Sequence, residues 1–364
     1  MDWPNPRVIF LLLVFLLAGC SIGDVRRPPP DRASASARPV ATAPAPLPVG
    51  VVDEVRHVRV AVPERYEPPF IEFVDAERAY ALFATCDGQP LGRDCPALLF
   101  ATTDGGRSWR PLRHPRPVAE NQQLYTAPGA LVLLAEPHDW YASTDGGVTF
   151  THYPGDAPPA VLRGADGRFQ VTEDGKVAEW DGRRLRPLAV QPGLPTVSTV
   201  PEIRGELFAA GVAGGRAYTA ISADQGRSWQ QTEVPAPDGD VGLLRVVSAP
   251  DGEAWLIGER PDPTAFPALW RWQGRWLRVR ADGHPDRVRS VAPVGAGRVA
   301  VTGPDGVGVV VDDRYERVAW PVGPEHHLFL LADGTLVARA PDEVVLAVGL
   351  VGARRWIRVV LTGD

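Results

Sequence analysis

Three features of this 364-residue sequence predict an all-β fold, a seven-bladed β-propeller of four-stranded antiparallel blades. The first is a repeated octapeptide. Thr102-Thr103-Asp104-Gly105-Gly106-Arg107-Ser108-Trp109, Ser143-Thr144-Asp145-Gly146-Gly147-Val148-Thr149-Phe150 and Ser222-Ala223-Asp224-Gln225-Gly226-Arg227-Ser228-Trp229 share one pattern: Ser/Thr-x-Asp-x-Gly-x-Ser/Thr-aromatic. The second is spacing. Asp104 and Asp145 are 41 residues apart, and Asp145 and Asp224 are 79 apart, close to two periods. Periods near 40–50 with four short strands each mark a propeller. The third is punctuation: 37 Gly and 38 Pro recur along most of the chain and leave little room for long helices. Six blades is the alternative count, because the last turns keep less of the pattern.

Composition excludes some functions. The formal charge is −6 and the pI is about 5.7. A protein that tracks nucleic-acid phosphates usually has a basic domain with a pI above about 9, so nucleic acid is not an expected partner.

Residues 1–19 read as a leader. Arg7 and the amino terminus make a thin basic region, and Val8–Leu17 is an apolar run too short for a permanent span. It ends in Leu17-Ala18-Gly19-Cys20. This string resembles the lipobox of bacterial lipoprotein signal peptides. The resemblance implies lipidation of Cys20, removal of the preceding peptide, and a place in the cell envelope. That place is the outer face of the cytoplasmic membrane or the periplasm. An ordinary secretory signal that happens to carry a Cys is the alternative. Residues 20–48 follow as a Pro/Ala-rich tether with almost nothing to bury, an extended spacer between membrane and folded domain. The propeller is expected over 49–364.

Cys86 and Cys95 flank a turn-rich loop between two apolar runs. In an oxidising compartment they are expected to form a disulfide; a redox pair is the alternative. No other Cys completes a zinc site, and no metal or cofactor is expected.

In each octapeptide the Asp can accept backbone N–H groups within the turn, and the Gly permits positive φ. The ring of Trp109, Phe150 or Trp229 opens the next strand and packs inward. The pattern resembles the Asp-box, or BNR repeat, of sialidase-like β-propellers. In that family the box joins the third and fourth strands of a blade, away from the channel. The resemblance implies a structural role for Asp104, Gly106, Asp145, Gly147, Asp224 and Gly226. Weaker copies of the turn lie at Trp180–Arg183, Trp272–Trp276, Asp312–Tyr315 and Val351–Trp356, which brings the count to seven. Blade two is expected to run through 122–125, 130–135, 140–142 and 148–152. Val55–Val62 is expected to add an outer strand to the last blade, in competition with Trp356–Leu361.

In the family, the first strand of each blade lines the channel. Polar residues near those strand starts are Glu72, Gln123, Arg245, Arg289 and His327. Arg163 and Arg204 share their period but each precedes a Gly. Such a ring can bind a carboxylate, a sugar or a peptide, so a protein or glycan ligand is expected at the channel mouth. Catalytic sialidases carry an Arg-Ile-Pro motif, three carboxylate-clamping Arg, a Tyr–Glu pair and an Asp. Here the nearest string is Arg59-Val60-Ala61-Val62-Pro63, and the two Tyr beside a Glu, Tyr66 and Tyr315, lie outside the expected channel. Seven-bladed photosystem assembly factors also resemble this chain and are not hydrolases. His326 and His327 would point to opposite strand faces, which disfavours joint metal binding. The expected function is a membrane-anchored binding or assembly module; the alternatives are a sialidase-like hydrolase and a purely structural scaffold.

Overall fold

The computed structural model describes residues 50–363, apart from 90, 128, 350 and 351. The leader, Cys20 and the tether lie outside the described residues. Apolar alternation gives way to turns every few residues, and the chain folds into seven sheets in sequence order. After β1 (Glu54–Val60), blade one holds β2 (Phe70–Phe73), β3 (Ala79–Phe83), β4 (Leu98–Thr102) and β5 (Arg110–Leu112). Blade two holds β6 (Asn121–Ala127), β7 (Ala130–Glu136), β8 (Trp140–Ser143) and β9 (Thr151–Tyr153). This matches the expected blade, except that its last strand begins at Thr151 and not at Val148.

Blade three departs from four strands. A single-turn helix, α1 (Ala160–Ala165), takes the place of its first strand, ahead of β10 (Phe169–Val171), β11 (Val177–Trp180) and β12 (Leu185–Pro187). Pro158 and Pro159 precede it, and a fixed φ near −65° prepares a helix start. Ala160, Leu162 and Arg163 then favour the helix. The Gln170 amide donates to the Arg163 and Gly167 carbonyls and closes the far end.

Blade four holds β13 (Glu202–Ile203), β14 (Glu206–Ala213), β15 (Arg216–Ser222) and β16 (Gln230–Thr232). Blade five holds β17 (Leu243–Ser248), β18 (Ala254–Glu259), β19 (Ala268–Trp272) and β20 (Trp276–Val279). Blade six holds β21 (Ser290–Gly295), β22 (Arg298–Gly303), β23 (Gly306–Val311) and β24 (Arg314–Arg317). Blade seven holds β25 (His327–Leu330), β26 (Leu336–Arg339), β27 (Val344–Val348) and β28 (Arg355–Gly363).

The ring closes without a contest between its two candidate strands. β28 is the fourth strand of blade seven, and β1 adds outside it in parallel, from Glu54 opposite Ile357 to Val60 opposite Gly363. Buried Arg56 then reaches from β1 into blade one, where its Nη1 donates to the Gly105 carbonyl at 2.6 Å.

The core is distributed between blades. Ile71 and Phe73 of blade one meet Leu346 and Ile357 of blade seven; Trp270 and Trp276 of blade five meet Phe208 of blade four. Both faces of the middle strands are covered, so β7 and β18 are almost wholly apolar. The Cys86–Cys95 disulfide closes the β3–β4 loop, with Cα atoms 6.3 Å apart.

The octapeptides form the turns between third and fourth strands of blades one, two and four. In each, the first hydroxyl donates to the Asp at 2.7–2.8 Å and accepts the Gly106, Gly147 or Gly226 N–H at 2.7–2.9 Å. The second hydroxyl donates to the other carboxylate oxygen at 2.6 Å. Blade three has a shorter turn at this place, in which Asp181 accepts the Arg183 and Arg184 N–H groups at 2.9 Å. Blades five, six and seven keep the turn position without the Asp network.

Candidate functional site

First strands are the innermost: β2 packs on β6, and β21 on β25. Glu72 lies on β2, Gln123 on β6 and Arg245 on β17; Arg289 precedes β21, and His327 opens β25. Arg163 lies in α1. Arg204 occupies the β13–β14 turn at φ 53° and donates to the Asp251 carbonyl.

Four of the five polar candidates form an arc across blades five, six, seven and one. Arg245 pairs with Glu259 at 2.7 Å. Arg289 donates to the Pro324 carbonyl at 2.8 Å and approaches His327 Nε2 at 3.4 Å. His327 lies opposite Arg339 in the β25–β26 register, and Arg339 pairs with Glu72. Gln123 stands apart and accepts the Tyr125 hydroxyl.

Two cavities meet at Arg289. One, of about 450 Å³, is bounded by Phe70, Arg289, Glu325, His327, Arg339 and Glu343. The other, of about 250 Å³, lies between Arg245, Glu259 and Arg289. Among the described residues, Arg289 has no carboxylate partner, so its charge faces both spaces. Burial, reinforced by the Arg289 and Arg339 charges, pushes the His327 pKa down. Burial pushes the Glu72 carboxyl up, and the Arg339 charge opposes it. Phe70 is 42% exposed and offers an apolar wall beside these cations.

Sequence reasoning missed Arg339, Phe70, Glu325 and Glu343. Arg339 ends a second strand, and Glu343 sits in the β26–β27 turn. Neither position carries a signal until blade seven folds onto blade one. His326 points into the protein and is 1% exposed, whereas His327 faces out, as strand alternation requires. His326 Nδ1 accepts the Gly323 N–H at 3.0 Å, which leaves Nε2 to donate to Glu343 at 3.1 Å. Glu325 lies against the same ring, and the three side chains offer ligand atoms within 4.8 Å of one another. That spacing suits a cation, but both imidazole nitrogens are already engaged in hydrogen bonds.

The sialidase constellation is not assembled here. Arg245 is engaged by Glu259, so Arg289 and Arg339 are the arginines that share the larger cavity. Among the described residues, no Tyr hydrogen-bonds a Glu: Tyr66 donates to the Pro96 carbonyl, and Tyr315 lies on the outer strand β24.

No family model and no curated protein matches this sequence. Solved structures are similar to it. YCF48 bound to D1 peptide shares 15% identity over 79% of this chain and 92% of that one, with a TM-score of 0.40. YCF48 from Cyanidioschyzon merolae shares 13% over 77% and 95%, with a TM-score of 0.43. A GH74 xyloglucanase from Xanthomonas campestris shares 16% over 79% of this chain and 46% of that chain, with a TM-score of 0.29.

Proposed function

We propose that this chain is an exported, lipid-anchored propeller that acts as a binding module and takes part of a partner protein at its channel mouth. The observation that carries this reading is Arg289, a cation without a carboxylate partner among the described residues, set between two cavities, beside Arg339 and the exposed Phe70 ring. The same wall carries Glu325, Asp342 and Glu343, and Arg339 is taken by Glu72, so Arg289 is the cation left to meet a ligand. An acidic side chain next to an apolar one fits that surface: the carboxylate takes Arg289 and the apolar group covers Phe70. The lipobox at Cys20 and the Pro/Ala tether support presentation at a membrane. The octapeptide turns, read as Asp-boxes, serve as staples within blades.

Site-specific photo-crosslinking in cells tests this. A crosslinking residue at position 70 of the full chain is expected to give one discrete protein adduct, lost with Arg289→Ala. The same residue at the exposed position 148, on the outer edge of blade two, is expected to give none. Cys20→Ser should release the protein from the membrane fraction. Equal adducts at both positions would refute the mouth as the binding site.

Glycoside hydrolysis is the second reading, favoured by one observation. Glu325 and Glu343 line the same cavity with carboxylate oxygens within 4.8 Å, near the separation of about 5–5.5 Å used by retaining hydrolases. Glycoside turnover abolished by Glu343→Gln would establish it.

A further inference from the structure

In the three octapeptide turns, one glycine is wedged against the fourth strand of the preceding blade. A Cβ at Gly106 would lie 2.8 Å from Val359, one at Gly147 would lie 2.5 Å from Leu112, and one at Gly226 would collide with Leu188. The turn glycines of blades three, five and seven, Gly182, Gly274 and Gly352, would meet nothing within 4 Å. Gly352 and Arg354 border a groove of about 270 Å³ between blades six and seven. Trp320 and Trp356 line it, with ring centroids 5.1 Å apart.

Arg354, in the same turn, also lines the groove. Its Nη2 donates to the Val294 carbonyl at 3.1 Å, but Nε and Nη1 have no partner among the described residues and are closed off from solvent. Among the described residues, no carboxylate pairs with it. A guanidinium withdrawn from water without a counter-charge is strongly unfavourable. The groove wall carries one acid, Glu316, against two cations, Arg298 and Arg354, so its lining has a net positive charge.

We propose that this groove binds a small monocarboxylate carried on a flat ring, the carboxylate on Arg354 and the ring against Trp320. Charge-assisted N–H bonds to a carboxylate satisfy what Arg354 lacks. In this proposal the side chain turns outward on binding, gives up the Val294 carbonyl and presents Nε and Nη1 to the ligand. The indole offers a large apolar face for a flat partner. The volume lies below the roughly 300–1,000 Å³ of drug-sized ligand sites, which limits the ligand to a single ring. An aromatic acid and a uronic acid share this chemistry. The groove has no lining residue in common with the channel mouth, so the proposal stands apart from the function proposed above.

Calorimetric titration of the full-length chain in detergent tests it, with benzoate and glucuronate as probes and benzyl alcohol and glucose as uncharged counterparts. One acid is expected to bind at one site per chain, with its counterpart about tenfold weaker or worse. Arg354→Gln is expected to weaken that acid about tenfold and to raise Tm, because it removes an unpaired buried cation. Arg354→Lys keeps the charge and is expected to retain most of the affinity. Trp320→Ala removes the ring contact alone and is also expected to weaken binding. Benzoate alone assigns an aromatic acid, and glucuronate alone a sugar acid. No binding of either acid at about 10 mM, or binding indifferent to both Arg354→Gln and Trp320→Ala, overturns the proposal.

Discussion

Arg339 of the last blade donates to Glu72 of the first, and its guanidinium lies 4.7 Å from the Phe70 ring centroid and 4.8 Å from that of Phe329. The pair therefore fastens the joint where the ring closes, with one cation held between two aromatic faces.

Arg339→Met is expected to destabilise the protein by about 3 kcal/mol, since it strands a largely buried carboxylate. Without the cation, the folded Glu72 holds its proton more tightly than the unfolded one does. The deficit is therefore smallest below the unfolded value and grows as pH rises through the folded value. The double variant with Glu72→Gln is expected to recover most of the loss. A urea double-mutant cycle measures this; additive losses would dissolve the pair.

The turn carboxylates give the protein an acid limit. At Asp104 burial opposes ionisation, but hydrogen bonds from Ser108 and Thr102 outweigh it and bring the pKa to about 2. At Asp224 the Ser228 hydroxyl and N–H bring it to about 2. Stability from these groups is present above the ordinary value near 4 and is lost as pH falls through about 2. Asp104→Asn is expected to cost about 1 kcal/mol at pH 7, allowing for its largely solvated position, and nearly nothing at pH 2. Thermal melts at the two values check it.

His114 sets a second pH dependence. It is buried, its Nδ1 accepts the Arg116 N–H at 3.0 Å, and burial lowers its pKa to about 4. The unfolded chain takes up this proton near pH 6.5 and the folded chain only near 4. Stability is thus lost as pH falls between those values, by about 3 kcal/mol in full. His114→Asn is expected to flatten that slope in chemical denaturation at pH 7, 5.5 and 4.5. An unchanged slope would assign the loss to other groups.

Reduction of Cys86–Cys95 is expected to cost about 2.5 kcal/mol, from closure of a loop spanning nine residues. Denaturation with and without reductant measures this. The Cys86→Ala/Cys95→Ala variant should match the reduced protein.

The repeat made the blades legible because its information is local. Two hydroxyls, an Asp and a Gly within seven residues contain the side-chain network of the turn, so the turn can be read without knowing what lies beside it. The first strands near Glu72, Arg245, Arg289 and His327 were placed from the Gly that ends each one, which is also a local signal. The first strand of blade three was not legible. Propeller periodicity calls for a strand at 160–165, while Pro158-Pro159 and the Ala/Leu/Arg run favour a helix. Local preference prevailed.

The sequence by itself determined the all-β class, the turn positions and the period of the ring. The tertiary structure decided what the polar residues do. Glu72 and Arg339 are 267 residues apart, and Arg289 meets the Pro324 carbonyl and His327, 35 and 38 residues further on. Pairing between blades depends on distances that no local pattern encodes, since each contact at the mouth is made by strands that meet only when seven separate sheets have closed on one another.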